Sequence, residues 1–305
     1  MPVLPLAEAG PVLDRLDPVV LFSDVDGTLV GRGGSLLAGY DGSPTLAAAE
    51  ALVEAGRAGL EVVLVSGRTA LQLREASRLL GLRDAVGEVG AVLLLGRTTE
   101  LQWGEAPRTL GATPAEAIER SGALAGLLDA FEGRLEPHTP WHEGRQGTAL
   151  LRGQVEVAEA DAVLAGAGFG WARLLDNGRL RGSYPHLGTG ISHAYHLAPA
   201  GVTKARTAAA YLARRGLAAH QAAAIGDSPS DLELAGVTGA MFLVANGAWA
   251  AGELPAPGPP GGPAPAPAIA TPGPAQDGWA EAVRALLARR QRSTGQEATE
   301  SPQAT

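Results

Sequence analysis

The chain has no cysteine. That excludes a disulfide framework and any thiolate-held metal. Lysine is almost as scarce: of the 24 lysines and arginines in 305 residues, only Lys204 is a lysine. Charged residues make up 18% of the chain and the net charge is −8. No basic block interrupts that acidic balance, so no nucleic-acid partner is expected. Nowhere do about 20 apolar residues run together, so no membrane span is expected. The opening residues, MPVLPLAEAGPVLDRLDP, combine neither a basic start nor a long apolar run, unlike a secretory leader. A soluble, cytoplasmic protein is the expectation, and no internal repeat is visible.

What is plentiful is apolar: hydrophobic residues reach 46%, with 42 glycines and 22 prolines. That suffices for one large domain or two ordinary ones. The abundance of Ala, Gly and Arg reads as coding bias rather than function. VVLFS (19–23) is a short apolar run ending at acids and a glycine, as a buried parallel strand does. A helix follows, with Ser43 as its N-cap and Pro44 as its first residue. EVVLV (61–65) repeats the strand pattern, ALQLREASRLLGL is a second helix ending near Gly81, and AVLLL (91–95) is a third buried strand. Alternation of this kind marks an open α/β sheet.

The middle of the chain reads differently. Thr113-Pro-Ala-Glu116 is a capping box opening a helix to about Phe131. GTALLRG (147–153) predicts a strand and VAEADAVLAGAGF a helix, with GAGFG (166–170) as the helix stop. Asn177-Gly178 predicts a hairpin turn, and ISHAYHL (191–197) an alternating strand on which His193 and His196 face opposite ways. HTPWHEGR (138–145) carries two histidines, but Pro140 between them disfavours a helical zinc site, and an exposed loop is expected. His186 and Arg179 are candidate ligand contacts that nothing singles out. This section is expected to be a separate α+β module over 98–198.

The α/β rhythm then resumes with TKARTAAAYLARRGL, the strand AAAIG (222–226), a short helix SDLELAG and the strand AMFLV (240–244). Residues 255–267 hold seven prolines and predict a solvated insertion. Residues 268–271 predict a last edge strand, Asp277 caps a final helix, and a disordered tail is expected over 293–305. The core is thus assigned to 1–97 and 199–292.

Polar residues cluster where strands end or helices begin: Asp24 and Asp26, Ser66, Lys204, and Asp227 with Asp231. In open parallel sheets, ligands gather at the carboxyl ends of strands. Carboxylates crowded there repel one another and call for a cation, and all-oxygen ligands suit Mg²⁺. A lysine and a serine hydroxyl beside such a metal suit a phosphate group. One carboxylate can then attack phosphorus while another handles the proton. The plainer alternatives are ordinary ones. Asp-Gly is turn chemistry, Asp227 and Asp231 suit the start of a helix, Ser66 suits a cap, and Lys204 could be a solvated cation.

DVDGTLV, Ser66 in LVSGR, Lys204, and GDSPSD together resemble the four motifs of the haloacid dehalogenase superfamily of phosphatases, in order and spacing, over about 19–292. The long module between Ser66 and Lys204 is similar to the larger, C2-type cap of Cof-type, sucrose-phosphate and mannosyl-3-phosphoglycerate phosphatases. The resemblance implies a Rossmann-like parallel-sheet core with an inserted α+β cap. It also implies a Mg²⁺-dependent phosphatase acting on a small phosphorylated substrate such as a sugar phosphate. Asp24 would be the nucleophile and Asp26 the general acid/base. Asp24, the Asp26 carbonyl and Asp227 would hold Mg²⁺, supported by Asp231. Ser66 and Lys204 would bind phosphate, with loop amides around Gly27 and Gly67. Arg68 either reaches the substrate or pairs with an acid. Ser230 stands where the family usually has Asn, Ala205 where it has Gly, and EVGA (88–91) where ENGA is common. A phosphomutase and a non-catalytic phosphate-binding protein are the alternatives.

Overall fold

The computed structural model describes residues 3–180, 182, 184–188, 190–247 and 265–299, with backbone alone for His186 and 291–299. The strands are β1 (Val3–Pro5), β2 (Val20–Ser23), β3 (Glu61–Val65), β4 (Ala85–Gly87), β5 (Val92–Leu95), β6 (Thr98–Leu101), β7 (Leu135–Pro137), β8 (Ala149–Gly153), β9 (Ala172–Arg179), β10 (His193–Pro199), β11 (Ala222–Gly226), β12 (Ala240–Leu243) and β13 (Ala268–Ala270). The α-helices are α1 (Gly10–Leu13), α2 (Ala47–Arg57), α3 (Ala70–Leu80), α4 (Pro114–Arg120), α5 (Ala123–Ala130), α6 (Val157–Gly166), α7 (Lys204–Arg215), α8 (Pro229–Leu232) and α9 (Ala275–Thr299). The chain forms two compact units, Met1–Leu64 with Ala208–Thr305, and Val65–Thr207.

The first unit is built on a parallel sheet in the order β1-β13-β12-β11-β2-β3. Every residue of β2, β11 and β12 is buried, which is why VLFS, AAAIG and AMFL are unbroken apolar or small-residue runs. Helix α2 presents Ala48, Ala51 and Ala55, three and four residues apart, and packs on α9. Trp279 of α9 is fully buried and its Nε1 donates to Ser23 Oγ at 2.8 Å, so the indole keeps its polar end satisfied.

Several boundaries differ from the sequence expectation. Helix α2 starts at Ala47, not Pro44, because Pro44 sits in an isolated bridge with Ala38, and Ser43 is drawn back to Asp41 Oδ1. Strand β13 is not an edge: β1, which the sequence reading does not contain, pairs outside it. Helix α9 begins at Ala275, two residues before Asp277, and continues through Thr299, past the point where a tail is expected to start. The proline-rich expectation over 255–267 lies outside the described residues except for 265–267.

The second unit contains an antiparallel run β4-β5-β6 and a four-stranded antiparallel sheet in the order β7-β8-β10-β9. Strand β5 turns back antiparallel on β4, a three-residue strand that the sequence analysis does not predict, instead of extending a parallel series. Helices α4, α5 and α6 cover the four-stranded sheet, burying Ile118, Leu127, Phe131, Leu151, Leu164 and Leu197 in one core. The helix expected from Thr113 to Phe131 is two helices, broken at Gly122, whose φ of 85° ends the first. Thr113 Oγ1 accepts from the Glu116 N–H, but Glu116 reaches back to Ala112 rather than to Thr113. Asn177-Gly178 makes no hairpin: it lies inside β9, where the pairing with β10 slips between His193 and Tyr195.

Candidate active site

In the first unit β2 connects onward to β3 on one side, while β11 leads to β12 and β13 on the other. The strand order reverses between β2 and β11, and that is where the loops from two adjacent parallel strands diverge. Ser23 pairs with Ile225, so Asp24 leaves β2 level with the end of β11, and Asp227 follows directly. The Asp24 N–H donates to the Ile225 carbonyl at 2.9 Å, and Ser23 Oγ donates to the Asp24 carbonyl at 2.8 Å. The backbone of Asp24 is thereby fixed from both sides.

Carboxylate oxygens of Asp24, Asp227 and Asp231 lie within 4.8 Å of one another. Asp24 and Asp231 are buried, and Asp227 is half-buried. At about 5 Å and an effective dielectric of about 20, two like charges repel by roughly 3 kcal/mol, so three such groups favour a cation among them. The donors are all oxygens, and Gly27 leaves room beside them: a Cβ there would stand 2.3 Å from Asp227 Oδ2. The arrangement fits Mg²⁺ or a similar hard cation. Asp231 Oδ2 accepts from Ser228 N–H (3.0 Å), Ser228 Oγ (2.6 Å) and Asp227 N–H (3.3 Å), so this side chain also shapes the loop carrying Asp227. Ser230, where the resemblance expects Asn, bonds to Ser228 Oγ at 2.9 Å.

Asp26 lies in the turn after Asp24, bridged to Val30, with Gly27 N–H donating to the Val30 carbonyl at 2.9 Å. Its side chain is exposed and outside the three-carboxylate group. Asn246, absent from the sequence reading, belongs beside them. Its Nδ2 donates to the Gly27 carbonyl at 2.9 Å and to Asp227 Oδ2 at 3.3 Å, and its Oδ1 accepts from the Ala275 N–H at 2.6 Å. The signal was weaker here: Asn246 stands three residues past the end of β12, whereas Asp24 and Asp227 directly follow β2 and β11.

Ser66, Gly67, Arg68 and Lys204 belong to the second unit. Three successive carbonyls of the Ser66 turn are held: Ser66 by Val89 N–H (3.2 Å), Gly67 by the Arg145 guanidinium, and Arg68 by Glu88 N–H (3.0 Å). The helix cap, the plainer alternative for Ser66, is made instead by Thr69, which forms a capping box with Gln72 at the start of α3. Arg68 is half-buried, and its N–H points at Ser66 Oγ at 3.3 Å. Lys204 opens α7 and is buried. That helix start packs on Gly90, whose φ is 108° and where a Cβ would meet the Thr203 carbonyl oxygen at 2.3 Å; Thr207 Oγ1 donates to the Gly90 carbonyl at 2.7 Å.

Glu88, Arg145 and His196 were not anticipated as site neighbours. The Glu88 carboxylate is fully buried and accepts from the N–H groups of Gln146, Gly147 and Thr148 at 2.9–3.0 Å and from Thr148 Oγ1 at 3.2 Å. Arg145 lies 3.9 Å from it. The HTPWHEGR segment is therefore not simply an exposed loop: Trp141 and Glu143 are exposed, whereas His138 and the Arg145 side chain are buried. Burial, reinforced by Arg152 and Arg145, lowers the His138 pKa to about 4. His196 is held well below the usual histidine range by burial, with the charges of Arg145 and Lys204 adding to it. His193, on the opposite side of β10, pairs with Asp176 at 2.7 Å.

No family model matches the chain. A haloacid dehalogenase-like hydrolase from Bacteroides thetaiotaomicron superposes with a TM-score of 0.58 at 14% identity, covering 88% of this chain and 99% of that one. The sucrose-phosphatase of Synechocystis, solved with sucrose and phosphate, superposes at 0.57 with 17% identity over 88% and 97%. The chain has the haloacid dehalogenase-like hydrolase fold. At those identities the likeness to the solved hydrolases is one of fold. A phosphoglycolate phosphatase of Methanospirillum hungatei is similar in sequence as well, 26% identical over 228 residues, 74% of this chain and 83% of that protein.

Proposed function

We propose that this chain is a Mg²⁺-dependent phosphatase that hydrolyses a small phosphorylated metabolite through an aspartyl-phosphate. The observation that carries the reading is the group of Asp24, Asp227 and Asp231 at the strand-order reversal of a haloacid dehalogenase-like sheet. Asp24, Asp227 and the Asp26 carbonyl would hold the cation, with Asp231 ordering the loop behind it. Bound there, Mg²⁺ would neutralise charge on the phosphoryl group and its carboxylate neighbours.

The protein's own groups divide the remaining work. Asp24 attacks phosphorus and the ester oxygen leaves with a proton from Asp26, whose carboxyl is exposed to solvent. Asp26 then takes a proton from water, which attacks the phosphoryl-aspartate and releases phosphate. Ser66 and Lys204 bind phosphate oxygens, the hydroxyl as a donor and the ammonium as a compact charge. Amides near Gly27 and Gly67 assist, and Arg68 takes part in substrate binding. The α+β module over 98–198 is assigned as the cap that reads the leaving group. Its substrate class is sugar phosphates or phosphoglycerate-type sugars, and phosphoglycolate belongs in the same assay because of the relative in Methanospirillum hungatei.

The test is a panel of about a hundred phosphate esters assayed for phosphate release with Mg²⁺, after chelation, and with Asp24→Asn. Release that needs Mg²⁺ and is lost in Asp24→Asn by at least about 10³-fold is expected, the scale set by removing an essential group of a catalytic set. Normal turnover of that variant contradicts the mechanism.

A further inference from the structure

We infer that Arg145 is a positioning residue that aims the Ser66 hydroxyl at the phosphate, through a single peptide group. The inference rests on the phosphatase reading above and adds to it a residue that no motif contains. Arg145 donates through both terminal nitrogens to the Gly67 carbonyl, each at 3.0 Å. That carbonyl and the Arg68 N–H belong to one planar trans peptide, so they point in opposite directions. The Arg68 N–H faces Ser66 Oγ at 3.3 Å. Fixing the carbonyl therefore fixes the N–H, and the N–H occupies a lone pair of the hydroxyl. A hydroxyl that accepts there is left to donate its own proton, which is the polarity a phosphate oxygen requires.

Arg145 is itself held in place. Its Nε donates to the Trp141 carbonyl at 3.1 Å, its side chain is 4% exposed, and Glu88 supplies the opposing charge at 3.9 Å. Glu88 in turn takes its N–H donors from residues 146–148, directly after Arg145. Glu88 and Val89 have φ of 48° and 52°, a conformation uncommon for residues with side chains and held here by the bonds on either side. The planar fork of arginine can deliver two N–H groups from two nitrogens to one carbonyl, whereas an ammonium is a compact charge whose three N–H groups diverge from one nitrogen.

Arg145→Lys keeps the charge beside Glu88 and loses the fork. Inorganic phosphate binding to the Mg²⁺-loaded protein is measured by calorimetry, with steady-state kinetics on the best panel substrate and the melting temperature alongside. The expected result is a folded variant with phosphate affinity reduced about tenfold and KM raised more than kcat is lowered. A folded variant with wild-type phosphate affinity and KM overturns the inference and leaves the phosphatase reading intact. A wild-type protein that binds no phosphate overturns both. If Arg145→Lys does not fold, Arg145→Gln, which can offer one N–H to Gly67, takes its place with the same expectations. If neither folds, Arg145 serves the fold and the inference falls.

Discussion

At the residue scale, Asn246 shows how a carboxylate is aimed. An aspartate at a strand end has two free torsions, and a cation site needs one orientation. Asn246 supplies it by donating to Asp227 Oδ2 and the Gly27 carbonyl, and it is anchored by the Ala275 N–H. Groups of this kind behind a metal ligand typically change metal affinity by about 10–100-fold. Asn246→Ala is therefore expected to weaken Mg²⁺ activation by that order, read as the Mg²⁺ concentration for half-maximal phosphate release, with a smaller change at saturating Mg²⁺. Asp24 and Asp227 were legible in the sequence because each directly follows an apolar strand. Glu88 was not, because its partners lie 58 or more residues away and no spacing rule connects them.

At the element scale, the short segment from Glu88 to Gly90 ties three pieces of the second unit together. Glu88 holds residues 146–148, Val89 holds the Ser66 carbonyl, and Gly90 seats the first turn of α7. Gly90→Ala forces a Cβ to within 2.3 Å of the Thr203 carbonyl oxygen at a left-handed φ. The variant is expected to lose about 2–4 kcal/mol of stability, in the upper range of single substitutions, measured by urea unfolding. The strands of the parallel sheet were readable because burial on both faces leaves unbroken apolar runs. Asn177-Gly178 misled because the same dipeptide serves tight turns and bulges, and only pairing with β10 decides between them. The break at Gly122 was legible locally, because glycine readily takes the left-handed conformation that ends a helix.

At the scale of the whole molecule, buried histidines couple stability to pH. The His138 pKa is lowered from 6.5 to about 4 by burial, with Arg152, Arg145 and His142 adding to the effect and Glu136 opposing it. Between those values the unfolded chain binds a proton that the folded chain refuses. Stability is therefore fully present above pH 6.5 and is lost progressively as pH falls toward 4. His196, shifted in the same direction, adds to the loss. The His138 contribution is of the order of 3 kcal/mol at most, from the size of the shift. The urea midpoint is expected to fall between pH 7 and pH 5, and to fall less in His138→Gln. A midpoint that rises on acidification contradicts the assignment.

No helix among the described residues is long and apolar enough to cross a membrane. The proposed mechanism turns on Asp24 as the attacking group at the reversal of strand order between β2 and β11. The direct measurement is to mix the protein with Mg²⁺ and its best panel substrate, quench in acid during turnover, and map the phosphoryl adduct by peptide mass spectrometry. An adduct on Asp24 that is absent from Asp24→Asn is expected. Turnover with no adduct, or an adduct on Asp26 instead, would contradict the mechanism.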